Sequence, residues 1–230
     1  VTKYDLANVQ NEIKRISKDL KSFLENSHTV DFETELLQKL SEFNNKYFPA
    51  AEYKYNLRQG KIDEKKYGEE KEKEFLPIYN QLVKQYNIKL HQDKTDNFLD
   101  KWYLQHVREE IEFVFNKIKE IKDIDTKKIM SIILSRTIRS CRATTHADLA
   151  TLIEPITAPY YCSKHGKICK PLFSILKWWN TYSKDTVKRL QEFDKLRTQT
   201  FQTCLTGDSR TIDIFAELKK ENPEFAKLAE

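Results

Sequence analysis

Glycine is scarce in this chain, with four residues in 230, which argues against a fold of short strands joined by tight turns. No apolar run approaches the length of a membrane span, and no signal peptide opens the sequence. The four cysteines, Cys141, Cys162, Cys169 and Cys204, all lie in the second half without the spacing of a disulfide scaffold. A reducing, cytoplasmic setting is therefore expected. Methionine occurs once, at Met130, and the chain opens on Val1, so an excised piece of a longer protein is expected. Also missing are G-x-G-x-x-G, the P-loop, G-x-S-x-G and H-E-x-x-H. With them go the nucleotide-cradling loops and the common hydrolase centres. No spacing of carboxylates picks out a catalytic pair.

What is abundant is charge, a third of all residues, arranged between apolar positions at a helical period. Leu6, Val9, Ile13, Ile16, Leu20 and Phe23 predict a helix from Tyr4 to Asn26. Phe32, Leu36, Leu40 and Phe43 predict another from Asp31, as cap, to Lys46, ended by Pro49. The charged stretch from Lys54 to Glu74, with Gly60 and Gly68, reads as a solvated connector or a frayed helix start. Phe75, Tyr79, Leu82 and Tyr86 mark a helix with Pro77 near its first turns, and Val107 to Ile121 carries one of the cleanest stripes. Thr126 to Cys141 is apolar on more than one face, as expected of a central helix packed from several sides. After an irregular stretch from Arg142 to Lys170, the residues Leu172, Leu176, Trp179, Leu190, Phe193 and Leu196 predict a long last helix of the bundle. The character then changes: Thr203–Thr206 as a strand, Gly207–Asp208 as a turn and Thr211–Lys220 as a helix compose a unit of an α/β fold. The expected fold is mainly α, a helical bundle over residues 1–200 with an irregular loop, followed by a strand-turn-helix at 201–230.

Charge is unevenly placed. From Arg136 to Glu192 there are ten Lys/Arg against four Asp/Glu, a surplus of six that exceeds the net charge of the whole chain, +5. A basic segment in an otherwise balanced protein is an electrostatic footprint for phosphate. Within it Arg136, Arg139 and Arg142 end the central helix, followed by Thr144, Thr145 and His146. Such groups contact phosphates and can read guanine. Structural pairing with Glu109, Glu110 or Glu112 accounts for the arginines equally well. Lys177, Lys184 and Lys188 share one outer face of the last helix, as on a DNA-facing or simply a solvated helix. Trp179 belongs to the apolar stripe and is expected in the core.

Cys162-x-x-His165-x-x-x-Cys169 is the sharpest constellation. Three thiol and imidazole ligands around Gly166 suit a structural zinc, and the fourth is assigned to Cys141, with His146 as the alternative. Without a metal, the cysteines serve as small core residues.

Three stretches carry a resemblance. They are Asp100-Lys101-Trp102-Tyr103, Val107-Arg108-Glu109-Glu110-Ile111, and the run from Ile133 through Arg136, Arg139 and Arg142 to Ala143-Thr144-Thr145-His146 and Asp148. Together they resemble the helical region of bacterial site-specific DNA methylases that modify exocyclic amines of adenine or cytosine. Thr2-Lys3-Tyr4-Asp5 looks like the sequence that follows that family's cofactor-binding motif. Leu205-Thr206-Gly207-Asp208-Ser209-Arg210 looks like the strand and turn before its catalytic Asp/Ser-Pro-Pro-Tyr. The resemblance implies S-adenosylmethionine as cofactor in the complete enzyme, with Asp208 beside its adenine. It also implies double-stranded DNA as substrate, a restriction-modification setting, and a catalytic part held elsewhere in the same enzyme or in a second subunit. The chain by itself is then expected to be inactive. Asp208 in a turn that caps the following helix needs no cofactor at all. Two other classes remain open, a free-standing helical nucleic-acid-binding protein and a docking module for a partner subunit.

Overall fold

The fold is known from a computed structural model, which describes residues 4–25, 27, 29–93, 97–146, 152–171, 175–198, 203–222 and 224. Among the described residues the chain is mainly helical, with one small two-stranded sheet. Among the sequence-based expectations, those on Thr2, Lys3, Asp148 and Leu172 lie outside the described residues.

The helical periods become α1 (Leu6–Glu25), α2 (Thr29–Tyr47), α6 (Gln105–Lys119), α7 (Ile124–Ser140) and α8 (Ile175–Leu196). Between α2 and α6 lie α3 (Ala50–Arg58), α4 (Glu64–Gln85) and the single turn α5 (Phe98–Trp102). α7 begins where Asp123 accepts the Thr126 N–H at 2.7 Å, a side-chain cap on an otherwise unsatisfied donor. It is central as expected: it packs against α8, α6 and α1, and Met130 and Ile133 are fully buried. Ile132, on the remaining side, is exposed. Trp179 of α8 is fully buried, and its indole N–H donates to Ser17 Oγ of α1 at 3.0 Å, so the largest core side chain is also satisfied as a donor.

The second layer is α2 and α4, which close on each other through Phe43 and Phe75, with ring centroids 5.1 Å apart. Here the expectations need correction. The stretch from Lys54 to Glu74 is helical over most of its length, with a break at Gly60. There φ is +67°, a conformation glycine adopts without the Cβ penalty. Asp63 then caps α4, accepting the Lys66 N–H at 3.0 Å. Pro77 consequently sits well inside α4 instead of near its start. Asp31 lies in the first turn of α2, which begins earlier, at Thr29. An acidic residue there favours the helix through its dipole, without capping it.

The irregular stretch contains a hairpin, β1 (Tyr160–Cys162) paired antiparallel with β2 (Lys167–Cys169), in the register Tyr160↔Cys169 and Tyr161↔Ile168. It rests on α4 and α2. Asn44 of α2 holds β2 with two bonds, donating to Ile168 O at 2.9 Å and accepting from Ile168 N at 3.0 Å. Towards the C-terminus, no strand forms at 203–206, and α9 spans Ile214–Glu221, shorter than expected. Its cap is Asp213, which accepts from Ala216 N. A lone extended segment has no neighbouring strand among the described residues to satisfy its backbone, so the sequence pattern alone does not make it a strand.

Candidate functional site

The functional candidates gather around the hairpin. Its turn, 163–166, closes with Gly166 at φ +61° and with the His165 and Gly166 N–H groups both donating to Cys162 O. This folds His165 back over its own strands, so that its Nδ1 lies 3.5 Å from Cys162 Sγ and 3.4 Å from Cys169 Sγ. His146, from the segment after α7, arrives from the other side. Its ring is 4.7 Å from that of His165 and nearly perpendicular to it. One ligand atom from each of His146, Cys162, His165 and Cys169 falls within 4.8 Å of the other three. The fourth member of the cluster is therefore His146. Cys141, assigned there from the sequence, is buried at the end of α7 and lies outside the group.

Both cysteines of the group are buried, His146 is half-buried and His165 is exposed. Burial first, and then the neighbouring Cys162, push the Cys169 thiol up to about 12. Burial, followed by His165 and by Lys164, Lys177 and Lys167, holds His146 below its ordinary value. An imidazole in its neutral form can act as a metal ligand.

Those lysines form the electrostatic surround. A cleft of about 490 Å³ beside the cluster is lined by His146, His165, Lys167, Lys170 and Lys177, with Asn44 and Asn45 across from them. Lys164, Lys167 and Lys177 are exposed. Lys170 is largely covered and meets Glu33 at 3.3 Å. From Lys177 the cationic surface continues along α8 to Lys184 and Lys188, both exposed, which border a shallow groove against Lys14 of α1. Lys177 and Lys188 are eleven residues apart, about 16 Å along the helix axis.

The arginines divide. Arg136 is engaged inside the fold: its guanidinium pairs with Asp185 of α8, donates to Thr186 Oγ1 at 3.1 Å and lies 4.5 Å over the Tyr182 ring. The partner is Asp185 and none of the glutamates considered from sequence. Arg142 is half-buried beside Tyr103, whose phenol burial raises and whose shift the guanidinium opposes. Arg139 is exposed on α7. Asp208 is turned onto its own neighbour, accepting from Arg210 N, Nε and Nη2, and those bonds hold its carboxyl below the usual range. Lys164 and Lys167 were not singled out from sequence, although a basic turn between two cysteines was legible.

Over 98% of its length this chain is 41% identical to Type II methyltransferase M.MjaII of Methanocaldococcus jannaschii. The chain is homologous to part of a type II methyltransferase. It spans less than half, 43%, of that relative. No family model matches the chain, and no solved structure matches it. The resemblance drawn from the motifs and the homology to a type II methyltransferase thus point the same way, with an archaeal relative in place of a bacterial one. None of the described helices is long and apolar enough to cross a membrane.

Proposed function

We propose that this chain is the helical, DNA-facing portion of an S-adenosylmethionine-dependent, site-specific DNA amino-methyltransferase. The observation that carries the reading is the near full-length homology to a type II methyltransferase, which stretches across every cationic element described above. Methylation of an exocyclic amine requires the target base to leave the stack. Something must hold the flanking phosphates while that happens. The exposed lysines at 164, 167, 177, 184 and 188 and Arg139 supply point charges for that task, and Arg136 stiffens α7 against α8 behind them. The span from Lys177 to Lys188 matches the axial rise of about five phosphates on one strand.

The methyl-transfer step belongs, in this reading, to the Pro-Pro-Tyr-bearing part of the complete enzyme, which orients the amine towards the cofactor methyl and stabilises the developing charge. Residues 201–230 form the edge of that catalytic domain. Supporting this, α9 has no buried residue and leaves Ile214 and Phe215 exposed. Asp208 is the residue of that edge assigned to the cofactor adenine, and it must exchange Arg210 for the amine to serve there. The decisive experiment is a fluorescence-anisotropy titration of a labelled duplex with this chain across a salt series. Affinity that falls steeply with salt is the expected result. Salt-insensitive or absent binding at low salt would leave the bundle as a scaffold or docking module and refute a DNA-facing role.

A further inference from the structure

We propose that His146, Cys162, His165 and Cys169 bind one zinc ion, which ties the hairpin to the segment that follows α7. This does not rest on the DNA-facing reading; it would hold for a scaffold equally.

Geometry argues for it first. Zinc in a structural site takes four ligands tetrahedrally, with Zn–S of about 2.3 Å and Zn–N of about 2.0–2.1 Å, which sets a sulfur-to-nitrogen edge of about 3.6 Å. Here the two Sγ-to-Nδ1 separations are 3.4 and 3.5 Å, and all four ligand atoms lie within 4.8 Å. The donors come from two segments separated in sequence, so local spacing alone does not bring them together. Two thiolates and two imidazoles suit zinc and disfavour the hard cations, which want oxygen.

The surroundings are those of a metal site as well. Tyr160 Oη lies 2.8 Å from His146 Nδ1 and accepts the His146 backbone N–H at 2.6 Å, so one hydroxyl fixes both the ring and the chain that carries it. Outer partners of this kind orient histidine ligands. There is also a need for the ion. Strands of three residues are too short to persist alone, and Ile168 is the fully buried apolar residue of the pair. Zinc bound to the folded form only adds its binding free energy to that of the hairpin.

The test uses the full chain, reduced and stripped with a chelator, then titrated with Zn²⁺ and separately with Co²⁺. Expected are one metal per chain by elemental analysis, the visible bands of a tetrahedral cobalt–thiolate site, and a melting temperature that rises with zinc and falls again on chelation. Cys162→Ser, Cys169→Ser and His146→Ala should abolish stoichiometric uptake. Tyr160→Phe should weaken it by about 10–100-fold, and Cys204→Ser should leave it unchanged. The melting shift of the unmutated chain decides the matter even if a cysteine variant fails to fold. Three results would overturn the site: no stoichiometric uptake by the folded, reduced protein, uptake undiminished in Cys162→Ser, or a Cys162–Cys169 disulfide in protein kept reducing.

Discussion

Glu110 shows how a single residue can couple this fold to pH. It sits on α6, 4% exposed, and its carboxyl accepts the backbone N–H of Ile175 at the start of α8. Burial, and then the nearby Glu33, push it up to about 8 from an ordinary 4.5; Glu109 adds to the rise and Lys170 opposes it. Glu33 has the lysine, at 3.3 Å, and Glu110 keeps a proton instead. Across the same cluster His106 is held down to about 4 by burial and by Lys170, so it stays neutral at physiological pH. A folded-state value above the unfolded one means that the folded protein holds a proton the unfolded chain gives up. That contribution is complete below the unfolded value near 4.5 and is lost as pH rises through about 8. Glu110→Gln should therefore flatten the loss of stability in this window and leave the variant more stable than the parent at about pH 9, by on the order of 5 kcal/mol. Urea unfolding at about pH 6 and about pH 9 measures it, and parallel pH profiles for the two proteins would contradict it. Arg136 makes the opposite kind of residue-scale claim. Because its guanidinium is committed to Asp185, Thr186 and Tyr182, Arg136→Ala should lower the melting temperature by about 2–4 °C. The salt dependence of DNA binding should stay nearly as it was. A clear drop in that dependence would mean that Arg136 leaves Asp185 for phosphate.

At the scale of elements, the decisive contact is between α4 and the hairpin. Gly68 lies buried in the second turn of α4, and a Cβ there would meet the Tyr161 ring at 2.5 Å. Tyr161 is pinned at both ends: its hydroxyl bonds Tyr53 and Glu64, and its backbone N–H donates to Glu72 of the same helix. Gly68→Ala, a change that improves most helices, should here destabilise by about 1–3 kcal/mol and displace the hairpin. Thermal unfolding checks it, and a stabilised variant would show that Tyr161 moves freely. The same contact explains why this part of the chain was the hardest to read. A glycine amid charges signals a break, yet this one marks a close approach of two elements, which only the folded chain reveals. The stripes of α1, α2, α6 and α7 were legible because each buries its apolar face over several turns, so local period and tertiary burial agree. β1 and β2 were not, since three residues cannot show an alternation. The cysteine and histidine spacing did single out three of the four side chains that the fold brings together. Its fourth member depended on the path of the chain after α7, where His146 and Cys141 are equally plausible by sequence.

For the whole molecule, the question is where the charge surplus goes. The basic segment from Arg136 to Glu192 folds into the end of α7, the hairpin and much of α8, and the pairing of Arg136 and Arg189 with Asp185 consumes part of it. Lys188 meets Glu192 at 3.8 Å, but both side chains are mostly exposed, and such a pair holds its lysine only weakly. What remains is a cationic strip from Lys164 and Lys167 on the hairpin, through Lys177, to Lys184 and Lys188. Each lysine that neutralises a phosphate contributes about 0.9 to the slope of log K against log salt. Replacing Lys167, Lys177 and Lys184 together with Gln should therefore reduce the slope by about 2–3 and weaken binding alike for every duplex sequence, since point charges on phosphates position without reading bases. Exposed positions of this kind should leave the melting temperature almost unmoved, which separates lost contact from lost fold. The same replacement should affect a mutant lacking the hairpin ligands less than the parent, because Lys167 is placed by the strand that carries Cys169. An unchanged slope in the folded triple variant would remove the strip from the DNA interface and leave exposed Arg139 of α7 as the candidate contact.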